Sequence, residues 1–184
     1  MIRLGPAGNI DKDILSSLKK VKEYELQAQE IEFVRGVHMS NEKAKEVGKL
    51  AKELDIALSI HAPYYINLSS EEKKKIEESK ARIIQSCERG HYLNATHIVF
   101  HPGYYGKKTK EETYNMIKEA ILDMQEIIKK NSWNVKLAPE ITGKHSAFGN
   151  LDGTIKLAKE TKCDICIDAA HLYARNFGVI NYKE

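Results

Sequence analysis

Short apolar runs recur along the chain and separate longer stretches in which apolar positions return every three or four residues. Many of these runs are rich in β-branched residues, and several are apolar throughout, as expected of strands buried on both faces. The pattern predicts six β-strands, at residues 2–4, 31–34, 56–60, 97–100, 135–138 and 164–167.

The stretches between the runs carry the pattern of amphipathic helices. The spacing predicts helices over residues 11–27, 41–54 and 154–161. Two longer helices are marked at their starts by capping boxes, in which a hydroxyl residue is followed three positions later by glutamate. Ser69 with Glu72 is one such pair, and Thr109 with Glu112 is the other.

Alternation of strand and helix at this spacing is typical of crossover units on a parallel sheet, so we expect an α/β fold. The length of 184 residues suits a single domain, 1–184. Two architectures fit the pattern: an open doubly wound sheet, and a (β/α)8 TIM-type barrel that is incomplete here, with about six β/α units present. The segment GPAGN after the first run is a turn signal and not a phosphate-binding loop.

Composition narrows the class of protein. Hydrophobic residues make up 42% and charged residues 30%, which is enough apolar material for a core. The net charge of +3 permits a nucleic-acid partner without arguing for one. No apolar stretch approaches the roughly 20 residues of a membrane helix, and the N-terminus lacks a secretory signal. We therefore expect a cytoplasmic protein with no membrane partner. The pair Cys163 and Cys166 lies on a predicted strand, where buried apolar roles are more typical than redox chemistry.

Metal-capable side chains follow four successive predicted strands at their C-terminal ends, where parallel α/β folds build their sites. They are His61, His101, Glu140 and Asp168, with His171 three residues further on. Any one of these residues by itself would more typically be a loop residue or a helix cap. Their coincidence directly after apolar runs predicts a metal site, because a charge there is costly unless it is paired. Nitrogen and oxygen ligands together favour zinc, manganese or iron.

Four segments in order, SIHAPYYINL, VFHPG, LAPEITG followed by AFGNLDG, and CIDAAH, resemble the endonuclease IV family of apurinic/apyrimidinic endonucleases. That family belongs to the xylose-isomerase-like (β/α)8 barrels and holds three metal ions, usually zinc. The resemblance implies that His61 and His101 bind the first metal and that Glu140 bridges the first and second. It also implies that Asp168 binds the second metal, that His171 binds the third, and that Tyr64 lines the site near the DNA.

The chain departs from the family pattern in several places. The first predicted strand ends without a histidine, the loop RGVHMSNEKAK enters a helix at once, and Ile141 replaces the usual asparagine. The chain also ends at Glu184, before the family's last two strands and their ligands. We therefore expect the first six strands of a C-terminally truncated barrel, with only the first metal set complete and self-association through the open sheet edge.

The resemblance predicts metal-dependent hydrolysis of the phosphodiester at abasic sites in double-stranded DNA, with Glu140 as the catalytic carboxylate. Such metals activate water and neutralise phosphoryl charge. One alternative is a metal-dependent isomerase or epimerase of the same superfamily, acting on a small sugar. Another is a non-catalytic metal-binding remnant. His145, in the loop after Glu140, is a further candidate for a supporting or substrate contact.

Overall fold

The central apolar runs form a parallel sheet that is covered by helices. The computed structural model describes residues 2–179. In chain order the elements are α1 (Ile14–Glu23), β1 (Ala28–Glu32), α2 (Asn41–Glu53), β2 (Ala57–His61), α3 (Lys73–Leu93), β3 (His97–Phe100), α4 (Lys110–Lys130), β4 (Lys136–Pro139), α5 (Leu151–Thr161) and α6 (Ala169–Arg175).

The order of the strands in the sheet is their order in the chain, β1-β2-β3-β4, and all neighbouring pairs are parallel. Isolated parallel bridges extend the sheet at both sides, from Ala7 to Glu30 and from Glu140 to Cys166. Six consecutive segments therefore run side by side in one direction. A doubly wound sheet reverses its strand order at a switch point, whereas a barrel keeps the chain order, so the arrangement is that of a partial TIM barrel.

The first and last predicted strands, at 2–4 and 164–167, are wrong as strands. Residues 2–4 form backbone hydrogen bonds to the sheet through the Leu4 carbonyl alone, and residues 164–167 form a single bridge at Cys166, so neither segment builds a continuous ladder. Their apolar side chains also lack an outer neighbour: Ile2 is 88% exposed, Leu4 64% and Ile167 60%. Regular strand structure depends on pairing partners that a sequence pattern does not supply.

The core lies between the sheet and the helices. Alternate residues of β1 face opposite ways, so Gln29 contacts Ser17 of α1, while Glu30 faces Ser59 in the barrel interior. On the helical side α3 lies close to β3, because a Cβ at Gly90 would come within 2.7 Å of Ile98 Cδ1. The largest fully buried side chains are Leu18, Ile60, Leu68, Ile83, Leu93, Ile98, Phe100, Ile117, Ile121, Met124, Leu137 and Ile141.

Of the two predicted capping boxes, the one at Thr109 and Glu112 is confirmed, with both reciprocal hydrogen bonds present. The one at Ser69 and Glu72 is wrong, since α3 starts at Lys73 without a side-chain cap. The buried Ser69 hydroxyl donates instead to the Tyr104 carbonyl at 2.7 Å. A tertiary contact between the loops after β2 and β3 has taken the place of the local one.

Within residues 2–179, every helix is too short or too polar to cross a membrane. All three cysteines are free. Burial raises the pKa of the Cys166 thiol to about 12, which leaves it protonated and unreactive at neutral pH. Cys163 is buried, as its predicted apolar role requires, and Cys166 is half-buried.

Candidate metal centre

Five candidate ligands meet at the edge of the sheet where the parallel strands end. His61 is the last residue of β2, and His101 and Glu140 directly follow β3 and β4. Asp168 is the N-cap of α6, and His171 lies in the first turn of that helix. The short helix α6 was not predicted, and it is the element that turns His171 back towards the other ligands.

Glu140 lies at the centre of this cluster, and its side chain is only 6% exposed. Its Oε2 lies 3.1 Å from His61 Nε2 and 3.3 Å from His101 Nε2. Its Oε1 lies 2.9 Å from His171 Nδ1. One buried carboxylate thus faces three imidazoles, two through one oxygen and one through the other.

His171 and Asp168 form the second half of the cluster. Three oxygens surround His171 Nδ1: Glu140 Oε1 at 2.9 Å, the Ile141 carbonyl at 3.0 Å and Asp168 Oδ2 at 3.3 Å. The other carboxylate oxygen of Asp168 accepts a hydrogen bond from the His171 backbone N–H at 2.8 Å. An Nδ1–H can serve only one of these acceptors well, whereas a cation that displaced this proton would be shared by Nδ1, Glu140 Oε1 and Asp168 Oδ2.

The tautomer of His61 also favours a cation, here between His61 and Glu140. His61 Nδ1 lies 2.8 Å from the Ala62 carbonyl, which accepts only, so Nδ1 carries the proton and donates. Neutral His61 then presents a lone pair on Nε2 to the Glu140 carboxylate. Two lone pairs at 3.1 Å repel unless a proton or a metal ion lies between them. A hydrogen bond from the outer ring nitrogen to a backbone carbonyl commonly orients a metal-binding histidine in this way.

The ligand separations fit a metal ion. Tetrahedral zinc with bonds of roughly 2.0–2.1 Å keeps its ligand atoms about 3.3 Å apart, close to the distances from Glu140 to His61 and His101. Two groups of three ligands bring their atoms within 4.8 Å of one another. The groups are His61, His101 and Glu140, and Glu140, Asp168 and His171. Because both contain Glu140, the cluster has the donors for two cations bridged by one carboxylate.

The electrostatics of the cluster are those of strongly coupled opposite charges. Burial by itself would raise the pKa of Glu140, but hydrogen bonds from His101 and His61 outweigh it and hold that pKa well below its ordinary value. Burial would likewise lower the pKa of His61, yet its contacts with Glu140 and the Ala62 carbonyl raise it. A proton on His61 therefore competes directly with a metal ion for the same nitrogen.

Metal affinity is expected to fall as the pH drops. The pKa of His61 is raised above its ordinary value, so binding must displace a proton from Nε2 at a higher pH than it would from a free imidazole. Each displaced proton weakens binding by about tenfold per pH unit below that pKa. A zinc competition titration between about pH 8 and pH 5.5 measures the slope. His38→Asn, remote from the cluster, should leave the profile unchanged, whereas a flat wild-type profile would exclude His61 as a ligand.

Tyr64 flanks the cluster, with its ring 5.4 Å from His61 and 6.2 Å from His101. A cavity of about 450 Å³ opens beside it. The walls of the cavity include Tyr64, His101, Tyr104, Lys144 and His171. Two of the proposed ligands, His101 and His171, thus line a space large enough for a small sugar or a single nucleotide unit.

His145 lies outside the ligand cluster and stacks on Phe177, with ring centres 4.8 Å apart. His38 lines a different cavity, next to Gly36. Two carboxylates of β1, Glu30 and Glu32, were not predicted as part of the site, and they lie beside Ser59 and His61 in the strand register. Burial raises the pKa of Glu30. Their two-residue spacing on a strand was the signal that could have placed them on the interior face.

A chain-ordered parallel sheet with its candidate ligands at the carboxyl edge defines a TIM-barrel protein. A model of the xylose isomerase-like TIM barrel family matches residues 18–183. The chain belongs to this family, which confirms the fold expected from the four motifs and excludes the doubly wound alternative.

Relatives and solved structures span several activities. An uncharacterized protein of Methanocaldococcus jannaschii is 42% identical over 172 residues, 92% of this chain and 61% of the relative. An apurinic-apyrimidinic endonuclease of Caenorhabditis elegans is 27% identical over 155 residues, 79% of this chain and 38% of the relative. The chain thus spans less than two thirds of these relatives.

Two crystal structures show the same fold. Endonuclease IV from Thermus thermophilus superposes with a TM-score of 0.76 at 23% identity, over 94% of this chain and 65% of that one. A D-tagatose 3-epimerase-like protein superposes with a TM-score of 0.73 at 20% identity, over 92% and 66%. Both nucleases and sugar epimerases therefore share this architecture.

Proposed function

We propose that the protein is a metal-dependent phosphodiesterase that cleaves DNA at abasic sites. One observation carries the proposal: two ligand groups of three side chains each share Glu140. A pair of bridged cations suits phosphoryl chemistry, because both the attacking and the leaving oxygen need stabilisation. Epimerisation of a small sugar in this superfamily is expected to need one ion.

The residues of the chain have separable tasks in this proposal. Bound divalent ions would supply Lewis acidity towards the phosphoryl oxygens and lower the pKa of water. His61 and His101 hold one side of the centre, and Asp168 and His171 hold the other. Glu140 fixes the two halves relative to each other. The Ala62 carbonyl orients the His61 ring through Nδ1.

The mouth of the site carries the groups that a nucleic acid needs. Tyr64, Tyr65 and Tyr104 are large exposed aromatics on the loops after β2 and β3. Exposed tyrosines stack on bases without regard to sequence. Lys144 in the cavity wall offers a positive charge to a backbone phosphate. Both features support an extruded abasic nucleotide in the cavity, since the missing base lowers the cost of extrusion.

The names of the C. elegans and T. thermophilus proteins support the same activity. We extend it to this chain on the strength of the ligand geometry. Zinc is the metal we propose, with manganese and iron as alternatives that accept the same nitrogen and oxygen donors.

A sugar isomerase or epimerase is the second candidate, and the acidic interior favours it. Glu30 and Glu32 add two carboxylates on the strand next to His61, where they would accept hydrogen bonds from sugar hydroxyls and repel a phosphate. The cavity of about 450 Å³ holds a monosaccharide. The short passage from β1 to α2 also leaves little loop to push into DNA.

The deciding experiment compares substrates on the full-length protein loaded with zinc, manganese or iron. A duplex with one abasic site should be cleaved at the lesion, while the same duplex without the lesion stays intact. A panel of ketohexoses tests the alternative. Epimerised sugar without cleavage would replace the proposal by the second candidate, and metal binding without either reaction would point to a non-catalytic metal-binding protein.

Self-association through the open edge is part of the proposal. Leu4 on one outer segment and Ile167 on the other are exposed, and unpaired sheet edges beside apolar side chains are adhesive. We expect the 184-residue chain to form dimers or larger species in sedimentation velocity. A monomer at all concentrations would contradict this expectation.

A further inference from the structure

A guanidinium is buried behind the wall of the cavity. Arg175, at the end of α6, is 8% exposed. Its Nη1 donates to the carbonyls of Thr142 at 2.9 Å and Lys144 at 3.0 Å, and both terminal nitrogens lie 3.3 Å from the Ala147 carbonyl. One side chain thus holds three backbone oxygens of the loop that follows Glu140.

The charge of Arg175 is balanced by these carbonyl dipoles. Within residues 2–179 its hydrogen-bond acceptors all belong to this loop, and none is a carboxylate. A buried cation without such partners would be costly, and so would the loss of the arginine as a donor to the Thr142 and Ala147 carbonyls. The Lys144 carbonyl also accepts from the Ala147 N–H, so the arginine adds a second donor there. The loop conformation and the arginine therefore depend on each other.

The same loop forms one side of the substrate cavity. Thr142, Gly143, Lys144 and Ala147 line it together with His171. The loop also packs directly on α6, since a Cβ at Gly143 would lie 3.2 Å from the His171 ring. At the far end of α6, the stack of His145 on Phe177 makes a further contact between the loop and the chain after the helix.

We propose that Arg175 is a positioning residue that locks the loop 142–147 to α6. The lock keeps Lys144 and the cavity wall at a fixed place relative to His171, one helical turn before the arginine. The role in substrate binding rests on the proposed function, whereas the lock itself does not. Arg175 lies behind the wall and acts on substrate only through the loop.

The test uses Arg175→Met, which keeps the length of the side chain without its donors, and Arg175→Lys, which restores the charge and part of the bonding. Lys159→Met, at an exposed position of α5, is the matched control. Amide hydrogen exchange of the full-length proteins reports on Thr142, Ala147 and Phe148, whose N–H groups are bonded within and around the loop.

Exchange of these amides should rise about tenfold or more in Arg175→Met and less in Arg175→Lys, while the β3 amides stay unchanged. On abasic duplex, KM should rise about tenfold with kcat within about threefold. If Arg175→Met does not fold, Arg175→Lys gives the same comparison at smaller amplitude. Equal rises in the loop and in β3 would indicate a merely structural residue and overturn the proposal.

The two proposals fail in different ways. Hydrogen exchange needs no substrate. A wild-type protein that cleaves no abasic DNA would therefore overturn the proposed function alone. A rise in amide exchange confined to the loop in Arg175→Met would still support the lock. Unchanged loop exchange in Arg175→Met overturns the lock, whether or not the protein cleaves DNA.

Discussion

Replacing Glu140 with glutamine is expected to abolish cleavage of abasic DNA, with a loss of at least about 10³-fold in rate. Glutamine keeps the shape of the side chain but removes the charge that both ligand groups share. Neither cation would then keep its full set of protein donors. Cleavage of an abasic oligonucleotide by the zinc-loaded full-length protein measures the effect.

The fold should survive this substitution. In the variant, the amide N–H of glutamine can donate to the lone pair on His61 Nε2, whose Nδ1 already donates to the Ala62 carbonyl. Circular dichroism should therefore match the wild type. Glu119→Gln, on the exposed face of α4, is the matched control and should retain full activity. Undiminished cleavage by Glu140→Gln would rule out a bridging role for this carboxylate.

The positions of the candidate ligands were predictable because they depend on little more than strand direction. Parallel strands place their carboxyl ends at one edge, so any side chain that directly follows an apolar run comes to that edge. His61, His101 and Glu140 needed no further information. The interior position of Glu30 depends on a different rule, the alternation of side chains along a strand, because Glu30 lies within β1 and not at its end.

The second half of the cluster could not be derived from periodicity. The helix α6 has seven residues, too few to show an amphipathic pattern, and it begins where Asp168 caps the His171 N–H. Whether His171 turns towards Glu140 or away from it depends on that cap and on the packing of Gly143 against the helix. Both depend on tertiary contacts, which the sequence pattern does not show.

Local signals failed where a neighbouring segment competed for the same group. The Ser69 hydroxyl could have capped α3, but it donates to the Tyr104 carbonyl and joins two loops at the edge of the site. The run at 2–4 has strand-like residues, but it pairs on one side only. Propensity decides such cases only when tertiary contacts do not.

Two metal ions are expected to bind each chain, and His171 is the reason. The family resemblance leaves the second metal with Glu140 and Asp168 alone and predicts one tightly bound ion. The geometry adds His171 Nδ1 to that pair and completes a second group of three ligands. Three protein ligands are the usual complement of an open zinc site, so both groups should bind.

Elemental analysis after dialysis decides between the two counts. Wild-type protein should retain two ions, and His171→Asn should retain one, because the loss of a direct ligand weakens binding by at least about 100-fold. His61→Asn should also retain one ion, because it loses the ion held by His61, His101 and Glu140 and keeps the other. His145→Asn, whose ring stacks on Phe177 away from the cluster, should keep both. One ion in the wild type, unchanged in His171→Asn, would show that His171 only pairs with Glu140 and that the site is mononuclear.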